Sequence, residues 1–402
     1  MLWDVFCRVI DNFGDIGVCW RLACDLGQRG HTVRLWVDDA RALTWMAPQV
    51  RWQADEALGL TTGQGQPGVS VCRWQEAQQL EALAPGLQAG DVVVEAFGCD
   101  PPDAFLARMQ ARAAQGSPAQ WVNLEYLSAE DYVERSHGLR SPVWSGAAQG
   151  LHKRFFYPGF TPATGGLLRE PGLIAQRESE LGLAAQRQQW LRQLSRRLGL
   201  QLPPDAPLVL LFCYDSAPVG DLLDRLTSQP PQSPQSPQSP PLPQAHILLT
   251  PGPATQLAHA WLQTHPEFAP RLHELPPLPQ ADFDRLLWCC DLNLVRGEDS
   301  AVRALWAGHP HIWHIYEQDD GVHAAKLDAF MARWQAGWPD ALRAEVRAWW
   351  LAWNRLGPMP DRLPDWQSQG APWRTCSEKA RAGLLLQQDL TSQLINFVAS
   401  SG

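Results

Sequence analysis

Two short polar segments of this 402-residue chain carry side chains that could do chemistry. In the first, Asp11 and Asp15 lie on either side of Gly14, and the second is the run Arg296-Gly297-Glu298-Asp299-Ser300. Each follows an apolar run and precedes a helical pattern, so each is predicted to join a strand to a helix N-terminus. Unpaired backbone N–H groups and the helix dipole favour anions there. We predict that the arginine-containing turn binds an anion, and that the turn with two carboxylates binds a cation or accepts a proton.

Both segments also have a purely structural explanation. Aspartate favours helix N-caps and turns, so one of Asp11 and Asp15 could cap the helix while the other stabilises the turn. In the second segment, Asp299 or Ser300 could be the N-cap beside an incidental arginine. The residues by themselves leave these alternatives open.

The elements around these turns alternate apolar runs with helical sequence. In the first half the predicted strands are Val5–Val9, His31–Val37, Val69–Cys72, Asp91–Gly98 and Trp121–Tyr126. In the second half they are Leu208–Tyr214, His246–Thr250, Leu292–Val295 and His311–Ile315. Short continuous apolar strands separated by helices are typical of parallel sheets covered on both faces. We therefore predict an α/β fold of two Rossmann-like domains facing each other across a cleft. Both turns would lie there, at the carboxyl ends of strands, and together they indicate group transfer from a phosphorylated donor.

The predicted domain boundaries follow from length and composition. We place an N-terminal domain at residues 1–185, a C-terminal domain at 186–370 and a C-terminal helix at 371–402. Gln176–Leu200 is helical in pattern and is predicted to connect the halves. Ser228–Gln244 repeats Gln-Ser-Pro, which favours polyproline II, and we interpret it as a surface insertion rather than a ligand for a proline-binding module.

Charge and cysteine content exclude several classes of protein. The net charge of −9 argues against a nucleic-acid surface, because such surfaces need clustered Lys and Arg. No apolar run reaches the ~18–20 residues that span a bilayer, and the N-terminus lacks the features of a signal peptide. Nine cysteines without metal-ligand spacing indicate reduced thiols in a cytoplasmic protein. The one Asp-x-Asp, at Asp282 and Asp284, opens a predicted helix, so no metal site is expected.

Six stretches carry motifs whose combination is specific. They are Phe6–Leu22, Val94–Cys99, Asn123–Glu130, Pro158–Thr161, Leu278–Gln280 and Arg296–Ser300. These motifs strongly resemble those of the EarP family, bacterial protein-arginine rhamnosyltransferases that act on translation elongation factor P. The resemblance covers nearly the whole chain.

The resemblance implies a two-domain GT-B glycosyltransferase that takes dTDP-β-L-rhamnose as donor, inverts the anomeric carbon and needs no metal or other cofactor. By motif, Asp15 is predicted to be the general base and Asp11 its companion carboxylate. The predicted donor-binding residues are Asn12, Phe13, Gly14, Gly17, Tyr214, Gln280, Phe283, Arg296, Glu298, Asp299, Ser300 and Tyr316. A GT-B transferase with another acceptor, or a non-catalytic nucleotide-sugar-binding protein, is the alternative. The acidic pair favours an enzyme, because a guanidinium nucleophile needs a carboxylate to take its proton.

Overall fold

The computed structural model describes residues 1–11, 13–203, 205–227, 244–318, 321–368 and 370–400. Most of the predicted insertion at 228–244 lies outside these ranges. The chain forms two compact units. The first comprises Met1–Pro171 together with the segment that begins at Leu385, and the second is Gly172–Leu384.

A nine-stranded sheet lies at the centre of the first unit, in the order β3-β4-β5-β2-β1-β6-β7-β9-β8. Its strands are β1 Leu2–Cys7, β2 Thr32–Val37, β3 Arg51–Asp55, β4 Leu60–Gln66, β5 Val69–Arg73, β6 Val92–Ala96, β7 Gln120–Leu124, β8 Arg140–Pro142 and β9 His152–Phe156. The six strands from β5 to β9 in this order are parallel, and the outer pairings are antiparallel. The helices are α1 Gly14–Gln28, α2 Leu43–Met46, α3 Trp74–Ala77, α4 Leu80–Leu83, α5 Asp103–Ala114 and α6 Tyr132–Ser136.

The central strands of the first sheet, β1, β2, β6 and β7, are buried on both faces, which explains their continuous apolar sequences. Along β1, Val5 and Cys7 belong to one apolar cluster, whereas Phe6 belongs to a second one. Successive side chains of a strand point to opposite faces, so the two clusters lie on opposite sides of the sheet.

The second unit contains a five-stranded parallel sheet in the order β12-β11-β10-β13-β14. Its strands are β10 Leu208–Leu211, β11 His246–Leu249, β12 Leu272–Glu274, β13 Leu292–Arg296 and β14 His311–His314. Its helices are α7 Leu173–Leu181, α8 Ala184–Leu198, α9 Val219–Thr227, α10 Pro253–Leu262, α11 Gln280–Cys289, α12 Glu298–Ala307, α13 Val322–Trp334, α14 Asp340–Trp353 and α15 Pro372–Leu384, with a 3-10 helix at Pro266–Arg271. The α/β prediction with parallel sheets is confirmed in both units.

Both sheets share one topological feature. Numbered within each unit, the parallel strands run in the order 3-2-1-4-5-6 in the first unit and 3-2-1-4-5 in the second, as in doubly wound folds. The order reverses between β1 and β6 in the first unit and between β10 and β13 in the second. Ligands of such sheets bind beside the carboxyl ends of the strands at this switch point. The carboxylate turn follows β1 and the arginine turn follows β13, so each turn lies at the switch point of its own unit.

The helices near the sequence-predicted boundaries differ from the expectation. Gln176–Leu200 was predicted as one connecting helix, but it contains two helices, α7 and α8. The compact units divide after Pro171, whereas the sequence placed a boundary after residue 185. Helix α7 belongs to the second unit because Glu180 pairs with Arg285 of α11 at 2.6 Å.

The predicted C-terminal helix is also two helices. Helix α15 lies in the second unit, whereas α16 (Leu390–Ala399) returns to the first. Leu390, Leu394 and Val398 of α16 join the apolar cluster beneath β1, and Asp389 pairs with Arg29, the C-cap of α1, at 2.8 Å. No helix within the described residues is long and apolar enough to cross a membrane.

Candidate active site

Asp15 is the buried carboxylate of the turn after β1. It is the second residue of α1, and only 2% of its surface is exposed. Its Oδ2 accepts hydrogen bonds from the backbone N–H groups of Ile10, at 2.7 Å, and Asp11, at 2.9 Å. These donors precede the helix, so Asp15 closes the turn through this oxygen and stabilises it, as the structural alternative expected.

The surroundings of Asp15 favour its protonated form more than water does. Burial raises the pKa of Asp15, and the nearby negative charge of Asp11 adds to this. Hydrogen bonds from the N–H groups of Asp11 and Ile10 and from Tyr126 act in the opposite direction and lower the pKa. The net result is a raised pKa, and a carboxylate with a raised pKa is a stronger base.

The glycines of this turn act within the turn itself. A Cβ on Gly14 would lie 2.7 Å from Oδ2 of Asp11, so glycine makes room for that carboxylate. The N–H of Gly14 donates to the carbonyl of Asp11 at 2.6 Å, and the N–H of Gly17 donates to that of Phe13 at 3.0 Å. The backbone N–H groups of both glycines are therefore hydrogen-bonded within the turn. Any contact that these glycines make with the sugar donor would use other atoms. The ring of Phe13 is partly exposed, and Asn12 lies outside the described residues.

Arg296 is the corresponding buried cation of the second unit. It is the last residue of β13 and is 8% exposed. Its guanidinium carbon lies 4.8 Å from the ring centroid of Phe212 and 4.6 Å from that of Tyr214, both of which follow β10. Among the described residues, no hydrogen bond or ion pair occupies this guanidinium. Because a buried charge is costly unless it is paired, this arrangement indicates a site for an anionic ligand.

The helix after Arg296 begins differently from the structural alternative. Its N-cap is Gly297, at φ 73°, which favours glycine, and no side-chain hydrogen bond caps the helix. The alternative with Asp299 or Ser300 as N-cap is therefore wrong, because both residues lie inside α12. The helix N-terminus is thus open to an anion beside the arginine.

The two acidic residues of this helix start have partners of their own. Glu298 pairs with Lys326 of α13 at 2.7 Å, and Asp299 accepts a hydrogen bond from Gln280 at 3.4 Å. The ion pair with Lys326 balances the charge of Glu298, and the amide of Gln280 provides a hydrogen bond to Asp299. They also explain how an acidic helix start can coexist with an anion site.

Aromatic rings link most of the other predicted donor-binding residues. Tyr214 packs edge-on against Tyr316, with ring centroids 5.6 Å apart. Phe212 packs edge-on against Phe283 at 5.8 Å. With Arg296 between Phe212 and Tyr214, the structure brings Tyr214, Phe283 and Tyr316 around the predicted anion site. Ser300 is buried in the first turn of α12.

His314 lies behind this set of rings at the end of β14. The N–H of Tyr214 donates to its Nδ1 at 3.2 Å, and Ser216 Oγ lies 3.3 Å from its Nε2. Since Nδ1 accepts, the proton of the neutral ring is on Nε2 and faces Ser216. Burial, together with the positive charges of Arg296 and Arg355, lowers the pKa of His314 to about 3. His314 is therefore a neutral support for Tyr214.

The predicted site did not include Phe212, His314 or Tyr126. All three lie at or just after the carboxyl end of a strand. The position at a strand end was the signal that the sequence offered. It is a weak signal, because aromatic residues at strand ends are more often part of the core.

The candidate metal motif is occupied by arginines. Asp284 pairs with Arg303 through two hydrogen bonds of 3.0 and 2.6 Å, and Asp282 pairs with Arg197 at 2.8 Å. In the described part of the chain, no group of three or more His, Cys, Asp and Glu side chains could hold a metal ion.

The two Rossmann-like units, with a carboxylate pair at one switch point and a buried cation at the other, define a glycosyltransferase of the GT-B class. Residues 3–399 match the family described as Elongation-Factor P (EF-P) rhamnosyltransferase EarP. The chain belongs to this family. It is therefore an enzyme that transfers a sugar.

Relatives named as protein-arginine rhamnosyltransferases are similar to this chain over nearly its whole length. A protein-arginine rhamnosyltransferase of Pseudomonas putida is 41% identical, with 99% of each chain covered. One of Pseudomonas aeruginosa is 38% identical, over 99% of this chain and 98% of the relative. A solved structure, described as the structural basis for EarP-mediated arginine glycosylation of translation elongation factor EF-P, is 29% identical with a TM-score of 0.57. That comparison covers 100% of this chain and 99% of the other.

Proposed function

We propose that this protein moves L-rhamnose from dTDP-β-L-rhamnose to an arginine side chain of translation elongation factor P, with inversion at the anomeric carbon. The observation that carries the proposal is the opposite charge of the groups at the switch points of the two units. A buried arginine without an ion-pair partner among the described residues fits a diphosphate, and a buried carboxylate with a raised pKa fits a cationic acceptor that must lose a proton. Family membership supports the particular sugar and acceptor. An acceptor of the translation machinery implies a cytoplasmic location.

On the donor side, Arg296 and the N-terminus of α12 would hold the diphosphate. A guanidinium can bind two phosphate oxygens at once, and its charge is permanent. Negative charge on the diphosphate grows as the glycosidic bond breaks, so the same groups would stabilise the transition state without a metal. Gln280 and Phe283 would contact the thymine, and Tyr214 and Tyr316 would line the diphosphate.

On the acceptor side, Asp15 would act as general base and Asp11 would bind the guanidinium. One guanidinium nitrogen attacks C1 of the sugar while the bond from C1 to the β-phosphate oxygen breaks. The proton of that nitrogen passes to the carboxylate of Asp15, and dTDP leaves with the electron pair of the broken bond. Attack from the face opposite dTDP inverts the configuration at C1.

Two other functions share part of this geometry. A non-catalytic nucleotide-sugar-binding protein needs the Arg296 site but has no use for Asp15 as a base. A GT-B transferase with another acceptor needs both sites. The acceptor therefore has to be tested directly.

The experiment combines the purified protein, dTDP-β-L-rhamnose and elongation factor P, and measures the intact mass of the acceptor. We expect a gain of one rhamnosyl residue, which fragmentation places on an arginine. An acceptor with that arginine changed to lysine is the matched control and should stay unmodified. If dTDP binds but no acceptor gains mass, the proposal fails in favour of a binding protein. A mass gain in the lysine control would show that this arginine is not the modified residue.

A further inference from the structure

Two segments of the first unit have no role in the mechanism above: the turn that begins at Phe97 and the residues that lead to Tyr126. Both lie in stretches that resemble the EarP family. They follow β6 and β7, next to the switch point. Among the described residues, the non-glycine residues with positive φ are Phe97, Asp100 and Arg355. Two of the three lie in the turn after β6, where Phe97 has φ 59° and Asp100 has φ 45°. L-residues rarely adopt this conformation, and it persists where the surroundings impose it, often at functional sites.

Contacts from β7 hold this turn. The N–H of Phe97 donates to the carbonyl of Leu124 at 2.7 Å, and the N–H of Gly98 donates to Oδ1 of Asn123 at 3.2 Å. The side-chain amide of Asn123 is itself fixed, since its Nδ2 donates to Glu125 at 2.9 Å. The left-handed backbone of Phe97 is thus imposed by the neighbouring strand.

The ring of Phe97 stacks face to face on Tyr126, with centroids 4.3 Å apart and planes within 13°. The side chain of Tyr126 in turn hydrogen-bonds Asp15. We propose that Tyr126 is the positioning residue of Asp15, and that the turn at Phe97 exists to fix the tyrosine ring. This inference rests on the proposed role of Asp15 as general base.

The arrangement would fix the carboxylate from two sides. Backbone N–H groups hold Oδ2 of Asp15 from the turn after β1, and Tyr126, from the turn after β7, hydrogen-bonds the carboxylate through its side chain. The titratable groups that face Asp15 are Asp11 on the same turn, Cys7 on β1, Cys19 on α1 and Tyr126 itself. Of these, only the tyrosine both orients the carboxylate and lowers its pKa.

The test is Tyr126→Phe, with Tyr132→Phe as the matched control because Tyr132 is largely exposed. In Tyr126→Phe, we expect the acid limb of the kcat profile to move to higher pH, because the hydrogen bond that favours the ionised carboxylate is lost. On that limb kcat should fall about tenfold, which corresponds to one hydrogen bond to a charged group. At higher pH most of the rate should return, and the affinity for dTDP should be unchanged. Phe97→Leu keeps the hydroxyl but removes the stack, so it should shift the limb in the same direction by less.

A second measurement does not depend on turnover. In protein labelled with ¹³C at aspartate side-chain carboxyls, the signal of Asp15 is the one that disappears in Asp15→Asn. Its titration midpoint should be higher in Tyr126→Phe than in the wild type and unchanged in Tyr132→Phe. An unchanged midpoint would overturn the inference, as would a Tyr126→Phe enzyme whose rate falls equally at every pH. If no acceptor is modified at all, the proposed function fails, while the titration still decides whether Tyr126 acts on Asp15.

Discussion

The turns after β1 and β13 each lie at the switch point of their own sheet, yet they are built in opposite ways. After β1, the carboxylate of Asp15 accepts backbone N–H groups, and the donors of Gly14 and Gly17 are used within the turn. After β13, Gly297 starts the helix without a side-chain cap, and Arg296 lies between two rings without a charged partner in the described structure. Doubly wound topology supplies the place, and the local side chains decide which charge it can receive.

The two turns also differ in how they respond to pH. Asp15 carries a raised pKa, so its protonation changes above the range of an ordinary aspartate. A guanidinium keeps its proton at any working pH, and His314 behind it has its pKa lowered to about 3. We therefore expect the first turn to set the pH dependence of activity and the second unit to contribute to the pH dependence of stability.

The largest effect should come from Asp15→Asn. The amide keeps the shape of the carboxylate but cannot take a proton, so transfer should fall about a thousandfold or more. Affinity for dTDP should change little, because proton removal belongs to the chemical step. Single-turnover rates and calorimetry with dTDP measure the two quantities. Asp39→Asn, at a more exposed aspartate after β2, is the control. Near-normal turnover in Asp15→Asn would contradict the role of Asp15 as general base, and with it the functional difference between the two turns.

Arg296→Ala should have the next largest effect, and it should act on both binding and rate. Loss of a charge-assisted contact to the diphosphate should weaken dTDP binding roughly tenfold to a hundredfold. The rate should fall as well, because the leaving group gains charge in the transition state. Arg296→Lys should recover only part of the loss, since an ammonium lacks the planar fork. Calorimetry with dTDP decides the matter, with Arg197→Ala on the surface as control. An unchanged affinity in Arg296→Ala would mean that the arginine is purely structural.

The sequence predicted the fold and both turns because these depend on local patterns. An apolar run followed by aspartates and glycine, or by arginine and glycine, is visible without a structure. Contacts between distant strands are not visible in this way. The rings of Phe212 and Tyr214 reach Arg296 only because β10 and β13 are neighbours, and Tyr126 reaches Asp15 only through the strand order.

The predicted helix boundaries were wrong for a different reason. The C-terminal segment has helical periodicity throughout, but its two helices pack in different units. Asp299 and Ser300 are good N-cap residues, yet Gly297 is the N-cap because the chain leaves β13 with φ 73°. A local preference is overridden where tertiary packing fixes the backbone.

A smaller effect concerns how the stability of the protein depends on pH through His314 in the second unit. The pKa of His314 is about 3 in the folded protein, compared with 6.5 for an ordinary histidine. Below pH 6.5 the unfolded chain therefore binds a proton that the native protein does not, so stability falls as the pH falls towards 3. For this residue alone, the loss between pH 6.5 and 5 should be about 2 kcal/mol.

His314→Asn tests this, because asparagine can still accept from Tyr214 and donate to Ser216. Denaturant unfolding at both pH values should show a smaller loss in this variant than in the wild type. His259→Asn, at a half-exposed histidine outside this set of rings, is the control for the substitution itself. Equal losses in all three proteins would show that His314 is not kept neutral by its surroundings.

The smallest expected effect is that of a chelator, which should leave the rate of transfer unchanged. Both carboxylates of the Asp-x-Asp motif are paired with arginines, and Glu298 is paired with Lys326. A divalent ion would have to displace these cations to find carboxylate ligands there. In the proposed mechanism, the charge that a metal would bring to the diphosphate would instead come from Arg296 and the N-terminus of α12. The measurement is the rate of acceptor mass gain with and without EDTA, followed by addition of Mg²⁺ or Mn²⁺. A rate that is lost with EDTA and restored only by the ion would show that the arginine turn does not neutralise the leaving group by itself.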